Sequence, residues 1–179
     1  MEIVGMDVDG VIRNIHERLI QVYKNYYLEH EVTPIENWYN YDVAEYFPIR
    51  KDIYEFWFNL HPKEIYLFAE HYPKALEFMQ TIIKNNKITI VTKQPYKYLE
   101  ELTRQWLIKN KIPYDNITFT QNKGEFEGDY ILEDSPTDLE DIAKAGKSKP
   151  VCMNRSWNRT WKGLRVYNYN QFLKLINHQ

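Results

Sequence analysis

The sequence has little cysteine and no long apolar run, and both shortages limit what the protein can be. Cys152 is the only cysteine among 179 residues, so no disulfide can form within the chain, which fits a reducing compartment. No apolar stretch approaches the roughly 20 residues that a helix needs to cross a bilayer. The N-terminus also lacks the basic start and apolar centre of a secretory signal. We therefore expect a soluble, cytoplasmic protein without membrane contact.

Acidic residues are absent after Asp141, although basic residues continue to the end of the chain. This basic part is either a solvated face or an electropositive rim around an anion site, and the sequence does not decide between them. The net charge of the whole chain is only −2, which argues against a dedicated nucleic-acid binder but leaves a polynucleotide end open as a substrate. The basic residues are Lys144, Lys147, Lys149, Arg155, Arg159, Lys162, Arg165 and Lys174.

Length and composition indicate one globular domain with room for an insertion. The apolar share of 44% and the charged share of 27% are ordinary, whereas the aromatic share of 16% is high. We find no internal repeat. The oligomeric state is not determined by these features, and a homodimer stays open.

Apolar runs that alternate with helical patterns predict an α/β fold. The first run begins at Ile3, and later strands are predicted at 88–92, 117–120, 130–132 and 150–153, with a short one at Val166. Helices are predicted after Pro73, after Pro95, from Ser135 to Gly146, and at the C-terminus. This order is typical of a Rossmann-like, doubly wound parallel sheet.

The stretch 14–72 is several times longer than the dozen or so residues that a crossover between parallel strands requires. Its first part has the apolar spacing of a helix, Thr33-Pro34 interrupts it, and an aromatic-rich part follows. We interpret it as an inserted, mainly helical subdomain over the end of the first strand. Residues 1–13 and 73–179 would then form the α/β core.

Asp7 and Asp9 end the first apolar run, and Gly10 follows them directly. In a strand, residues i and i+2 share a face, so both carboxylates would point to one place at the carboxyl end of the sheet. Two carboxylates held close together repel unless a cation lies between them or one holds a proton. The pattern indicates a hard cation, acid–base chemistry or both. The alternative is a turn that only ends the strand.

Further polar residues follow the other predicted strands. Thr92 ends the second strand, Glu133 and Asp134 follow a later one, and Lys123 lies in the loop before it. The carboxyl ends of parallel strands lie along one edge, so these groups would meet Asp7 and Asp9. Carboxylates suit Mg²⁺, while a lysine and a hydroxyl suit phosphate oxygens. The sequence therefore predicts a site for Mg²⁺ and a phosphoryl group.

Four segments together resemble the signatures of the haloacid dehalogenase-like (HAD) phosphatase superfamily. They are DVDGV, ITIVTKQP, QNKGEF and YILEDSPTD, in the superfamily's order along the chain. The resemblance implies that Asp7 attacks phosphorus to form an aspartyl-phosphate, and that Asp9 protonates the leaving oxygen and later activates water. It also implies that Asp7, the Asp9 carbonyl and Asp134 hold Mg²⁺.

The same resemblance implies supporting roles and a substrate class. Thr92 and Lys123 would bind phosphate, while Glu133 and Asp138 would support the metal or the lysine. The insertion matches the position of a C1-type cap. With the ending PVCMNRSWNRTW, the chain resembles the 5′(3′)-deoxyribonucleotidase family. Two departures are Lys93, where a small residue is commoner, and the Glu-Asp pair in place of Asp-Asp.

The leading hypothesis is a Mg²⁺-dependent phosphatase of nucleoside monophosphates. The alternatives are a phosphatase for another metabolite or a polynucleotide end, and a non-catalytic binding domain on the same scaffold. Cap aromatics suit base stacking, although most should form the core of the cap. We expect Arg155 and Arg159 at the surface or rim, and we assign no role to the histidines at 16, 30, 61, 71 and 178.

Overall fold

Six parallel strands form one sheet in the computed structural model, which describes residues 1–177. The strand order is β3-β2-β1-β4-β5-β6. The strands are β1 Ile3–Met6, β2 Lys87–Thr92, β3 Asn116–Phe119, β4 Tyr130–Glu133, β5 Lys149–Met153 and β6 Arg165–Val166. The predicted strands are confirmed, with ends that differ by at most one residue except in the first. The α/β class with a parallel sheet is likewise confirmed.

Seven α-helices accompany the sheet in residues 1–177. Between β1 and β2 the chain also forms a π-helical turn, Phe56–Leu60, and two 3₁₀ turns, Ile35–Asn37 and Val43–Tyr46. The α-helices are α1 Ile15–Tyr26, α2 Asp52–Glu55, α3 Pro62–Phe68, α4 Ala75–Ile82, α5 Lys97–Lys109, α6 Pro136–Ala145 and α7 Tyr169–Asn177. No helix in this described part combines the length and apolarity of a membrane span.

The sheet is covered on both faces, as a doubly wound fold requires. Successive residues of a strand point to opposite faces. In β4, Tyr130 and Leu132 belong to the large apolar core, whereas Ile131 packs with Val91 and Ile142 on the other side. Helices α4 and α7 supply the large core, and α6 covers the opposite face. Because both faces are buried at the centre of the sheet, β1 and β4 are nearly continuous apolar runs rather than alternating ones.

A second apolar cluster fills the segment between β1 and β2. Its rings include Trp38, Phe47 and Trp57, and it continues into Leu99 and Leu102 of α5. The segment is helical, as the sequence predicts, and most of its aromatic side chains are packed against one another. The division into a core at 1–13 and 73–179 and a cap at 14–72 stays a prediction.

Two boundaries differ from the sequence prediction. Strand β1 ends at Met6, so Asp7 and Asp9 lie in the following loop rather than on a strand face. Helix α4 starts at Ala75 and not at Pro73, because Lys74 adopts a left-handed conformation with φ of 66°. The helix from Ser135 to Gly146 is confirmed: the Ser135 side chain caps it, and Gly146 ends it with φ of 66°.

Candidate active site

The carboxyl ends of β1, β2, β3 and β4 and the segments that follow them bring most of the predicted site residues to one cavity of about 320 Å³. Parallel strands end at the same edge, so the loops that follow them converge there. Glu133 and Asp134 lie directly beside this group and are fully buried. The predicted residues that line the cavity are Asp7, Asp9, Thr92, Lys123 and Asp138.

Lys123 is the buried cation at the centre of the site. A short 3₁₀ turn, Lys123–Glu125, carries it, and Asn122 caps that turn. Its Nζ lies 2.6 Å from Asp7 Oδ1 and 3.8 Å from Asp138 Oδ2, and it donates a hydrogen bond to Glu133 Oε2. Burial alone would lower the pKa of Lys123, but the carboxylates of Asp7 and Glu133 outweigh it and raise the pKa. Lys123 is therefore charged.

Three buried carboxyl groups surround this single lysine. Oxygen atoms of Asp7, Glu133 and Asp134 all lie within 4.8 Å of one another. Burial and the charge of Glu133 raise the pKa of Asp7 to about 8, although Lys123 opposes the shift. The same two causes raise the pKa of Asp134 well above its ordinary value. With all three groups ionised, the cluster would hold more negative charge than Lys123 can balance, and a divalent cation would allow that ionisation.

Asp134 contributes a carboxylate oxygen that is free to bind a metal ion. Its Oδ2 accepts a hydrogen bond of 2.9 Å from Trp157 Nε1, whereas its buried Oδ1 has no hydrogen-bond partner within residues 1–177. A buried carboxylate oxygen without a partner is costly unless a ligand completes it. Carboxylate oxygens are the ligands that Mg²⁺ prefers. The residues present therefore fit a magnesium ion.

The side chain of Glu133, which is one methylene longer than that of aspartate, folds back onto the main chain. Its Oε1 accepts hydrogen bonds of 2.9 Å from Asp134 N and 2.8 Å from Ser135 N, and its Oε2 accepts one from Lys123. The longer arm that distinguishes this Glu-Asp pair from Asp-Asp thus holds the start of the loop after β4. It fixes Lys123 and the backbone of Asp134 at the same time.

Lys93, the other departure from the superfamily pattern, is bonded to Asp138. The Lys93 ammonium donates to Asp138 Oδ1, and Lys123 approaches the second oxygen of the same carboxylate. Asp138 lies in the first turn of α6, where a negative charge is favoured by the helix dipole. Asp138 therefore links both lysines to α6.

Asp9 is held by partners other than those of Asp7. Arg13 donates to both of its oxygens, and Gln94 Nε2 donates to Oδ2 at 3.1 Å. Burial alone would raise the pKa of Asp9, but the Arg13 guanidinium and the Gln94 amide outweigh it and lower the pKa. Asp7 and Asp9 line the same cavity, yet each has its own cation.

Gly10 lets the loop after β1 approach Asp134 closely. Its φ is +80°, and a Cβ built there would lie 2.1 Å from Asp134 Oδ2. No side chain fits at that distance, and the backbone conformation itself favours glycine. Arg155 Nε donates a 2.7 Å hydrogen bond to the Gly10 carbonyl from outside the site.

Arg155 does not line this cavity, and the sequence suggested a residue at the surface or rim rather than a phosphate ligand. The residue is half-buried, its Cζ lies 4.0 Å from the centre of the Tyr72 ring, and it also donates to the carbonyl of Asn154. Its bond to the Gly10 carbonyl could not be predicted, because a main-chain partner leaves no trace in the sequence. Arg159 is exposed, as predicted, and it donates to the Glu36 carbonyl.

One wall of the cavity is aromatic. The π-helical turn supplies Trp57 and Phe58, and α2 and α3 supply Tyr54 and Tyr66. Exposed Tyr41 and buried Val43 complete this wall. Flat apolar walls with a polar floor favour a ligand that has a planar group at one end and charge at the other.

His16 is a cavity residue that sequence reasoning missed. It lies in the first turn of α1, is only 4% exposed, and contacts the rings of Trp38, Trp57 and Trp157 edge-on. Burial lowers its pKa to about 4, although Asp9 opposes the shift. It is therefore neutral near pH 7, with its buried Nδ1 unpartnered among residues 1–177. Its helical spacing from Leu19 and Ile20 was the available signal.

The other histidines of the described part lie outside the cavity. His30 bonds to Tyr23 through Nδ1, His61 pairs with Glu64, and His71 contacts the Tyr72 carbonyl. His178 lies outside the described residues. The absence of an assigned role for these residues stays a prediction.

Comparison with known proteins agrees with the geometry. The family described as 5′ nucleotidase, deoxy (Pyrimidine), cytosolic type C matches residues 1–179. A Chlorobaculum tepidum protein named "Putative 5′(3′)-deoxyribonucleotidase" is 22% identical, over 97% of this chain and 89% of its own length.

Solved structures of HAD proteins share the fold at low identity. A haloacid dehalogenase-like hydrolase of Streptococcus pneumoniae has a TM-score of 0.62 at 13% identity and covers 98% of both chains. A HAD-hydrolase of Bacillus subtilis, solved with magnesium bound, has a TM-score of 0.59 at 11% identity and covers 97% of both. The chain therefore belongs to the cytosolic type C 5′-deoxynucleotidase family of HAD hydrolases and is a phosphoric monoester hydrolase.

Proposed function

We propose that the protein hydrolyses nucleoside monophosphates to nucleosides and phosphate, with Mg²⁺ and an aspartyl-phosphate intermediate. The observation that carries the proposal is the buried cluster of Asp7, Lys123, Glu133 and Asp134 beside a cavity with aromatic walls. A phosphate can meet the charged floor while a base meets the rings. A volume of about 320 Å³ lies within the range of small-ligand sites.

In this proposal the residues of the chain divide the chemistry between them. An oxygen of Asp7 attacks phosphorus, the ester P–O bond breaks towards the leaving oxygen, and that oxygen takes a proton from the Asp9 carboxyl. Water then attacks the aspartyl-phosphate and gives a proton back to Asp9, which restores both groups. A phosphate dianion beside Asp9 would raise its lowered pKa, because like charges disfavour ionisation.

Thr92 and Lys123 bind and orient the phosphate oxygens in this scheme. Mg²⁺ would be held by Asp7, Asp134 and the main-chain carbonyl of Asp9. Glu133 and Asp138 would keep these groups and Lys123 in position. The ion would neutralise charge on the phosphoryl oxygens. The segment 14–72 would act as the cap, with Trp57 and Phe58 against the base, where each stack is worth about 1–3 kcal/mol.

We place the protein in the cytoplasm, in line with its single, buried cysteine, Cys152.

The test is phosphate release from a panel of ribo- and deoxyribonucleoside monophosphates and from 4-nitrophenyl phosphate. Wild type is assayed with Mg²⁺ and with EDTA, beside Asp7→Asn and, as a matched control, Asp52→Asn at an exposed carboxylate. We expect turnover of nucleotides that EDTA and Asp7→Asn abolish and Asp52→Asn retains. Phe58→Ala should raise KM for nucleotides more than for the aryl phosphate.

The other outcomes separate the alternatives. If only the aryl phosphate is cleaved, the protein is a phosphatase but nucleoside monophosphates are not its substrates. The substrate would then be another metabolite or a polynucleotide end. If folded protein releases no phosphate from any of the substrates, that result would favour a non-catalytic binding domain.

A further inference from the structure

Arg13 is a fully buried arginine for which the proposed chemistry has no use. It follows Asp9 by four residues, and its Nε and Nη2 donate to Asp9 Oδ1 and Oδ2 at 2.7 and 2.9 Å. Its guanidinium has no exposed side-chain surface. A buried charge is costly unless it is paired, and a two-point pair also fixes the angle of the carboxylate. Arg13 therefore fixes the orientation of Asp9.

The guanidinium is itself held from three directions. Its Cζ lies 4.7 Å from the ring centre of Tyr66 in α3 and 5.1 Å from that of Trp106 in α5. Its Nη2 also donates to Thr103 Oγ1 at 3.1 Å. Stacking and hydrogen bonding together keep the plane of the arginine fork from rotating. The fork can therefore serve as a rigid support.

Gln94 completes the support on the cavity side. Its Nε2 donates to Asp9 Oδ2, and its Oε1 accepts a 3.0 Å hydrogen bond from the Tyr66 hydroxyl. Gln121 in turn donates to the Gln94 carbonyl at 2.9 Å. Asp9 and Gln94 line the cavity, whereas Arg13 is not among the residues that line it. Arg13 can therefore affect a ligand only through the lining residues that it contacts, Tyr66 and Asp9, and only Asp9 accepts its hydrogen bonds.

We propose that Arg13 is a positioning residue that holds the Asp9 carboxyl group in line for proton transfer to the leaving oxygen. The inference rests on the proposed function, in which that transfer accompanies P–O cleavage. Proton transfer needs a donor within about 2.6–3.2 Å of its acceptor. Without Arg13, Asp9 keeps only its Gln94 contact and can rotate. The loss then falls on substrates whose leaving oxygen needs the proton.

The experiment compares kcat/KM for a nucleoside monophosphate with kcat/KM for 4-nitrophenyl phosphate, whose leaving group departs as a stable anion. The variants are Arg13→Met, which keeps the bulk, and Arg13→Lys, which keeps the charge without the fork. Arg18→Met is the matched control, because it makes the same change of residue at an arginine that donates to the Glu64 carbonyl and does not line the cavity. Far-UV circular dichroism and melting curves establish folding.

We expect Arg13→Met to lower kcat/KM for the nucleotide by about 100-fold, the lower end of general acid–base effects, while the value for the aryl phosphate changes little. The loss should appear in kcat rather than in KM. Arg13→Lys should recover part of it and serves as the main variant if Arg13→Met does not fold. Arg18→Met should resemble wild type on both substrates.

Two other results would overturn the inference in different ways. An equal fall on both substrates, or no fall, in variants of an active enzyme would make Arg13 a purely structural residue and leave the proposed function intact. Wild type that cleaves neither substrate would remove the proposed function, and this inference with it.

Discussion

His16 shows how burial changes one side chain's chemistry. Three tryptophans surround it, and its pKa falls from its ordinary 6.5 to about 4 because the charged imidazolium is poorly solvated there. In the unfolded chain the same side chain binds a proton near pH 6.5. The unfolded state therefore holds more protons than the folded state between these two values.

The free energy of unfolding should consequently rise with pH from about 4 to about 6.5 and be lost as the solution is acidified through that window. His16→Phe keeps a planar ring among the tryptophans and removes the titration. Urea unfolding across this window should give a shallower pH dependence for the variant than for wild type. An unchanged dependence would show that other groups cause the acid sensitivity.

Glycines at two element ends allow a test of local geometry. Gly10 follows β1 and Gly146 follows α6, and both have positive φ, so alanine at either position should cost about 1–2 kcal/mol from backbone conformation. Only at Gly10 would the new Cβ collide, because it meets the Asp134 carboxyl group, whereas nothing lies within 4 Å at Gly146.

We therefore expect Gly10→Ala to lose stability and most phosphatase activity, and Gly146→Ala to lose only stability. Melting temperature and kcat/KM on the same preparations check both statements. Full activity in Gly10→Ala would mean that the close approach to Asp134 is dispensable.

The strands and the edge at which the site lies could be predicted from sequence because buried parallel strands are continuous apolar runs. The same logic placed Asp7, Thr92, Lys123 and Asp134 together. The end of β1 was missed, since Asp7 still donates a backbone hydrogen bond to Leu132 of β4, whereas the Val8 carbonyl already accepts from Ile12 and Arg13 within the loop. The pattern of apolar residues in the sequence does not show where the hydrogen bonding between two strands ends.

Apart from Glu133 and Asp138, the supports of the site could not be predicted, because their partners are distant or main-chain atoms. Trp157 reaches Asp134 from 23 residues away, and Arg155 binds the Gly10 carbonyl from 145 residues away. Arg13 gave a weak signal as a lone charge within the apolar run around Ile12 and Ile15. Its pairing with Asp9 depends on a loop whose shape the sequence does not show.

The buried acidic cluster links the stability of the whole molecule to the binding of a metal ion. Binding to the folded state alone stabilises by about 2.7 kcal/mol when the ligand is at 100 times its Kd. Added MgCl₂ should therefore raise the melting temperature of wild type, and NaCl of equal ionic strength should not. Asp134→Asn should abolish this response.

The same variant gives a second readout in EDTA. Without metal, Asp134→Asn should be at least as stable as wild type, because Asp134 is buried beside Glu133 and Asp7. A variant that still responds to Mg²⁺ like wild type would place the ion elsewhere.

The central place of β1 in the sheet has a consequence for how the chain folds. Strand β1 is synthesised before both of its neighbours and pairs at Ile3 with Lys87 and at Val4 with Tyr130, so they arrive long after it. Such distant pairings require long loops to close and make folding slow. Until residue 134 is synthesised, β1 has an open edge and the acidic cluster does not exist. We expect catalytic competence to be gained late, in one step, and newly made chains to depend on protection of that edge.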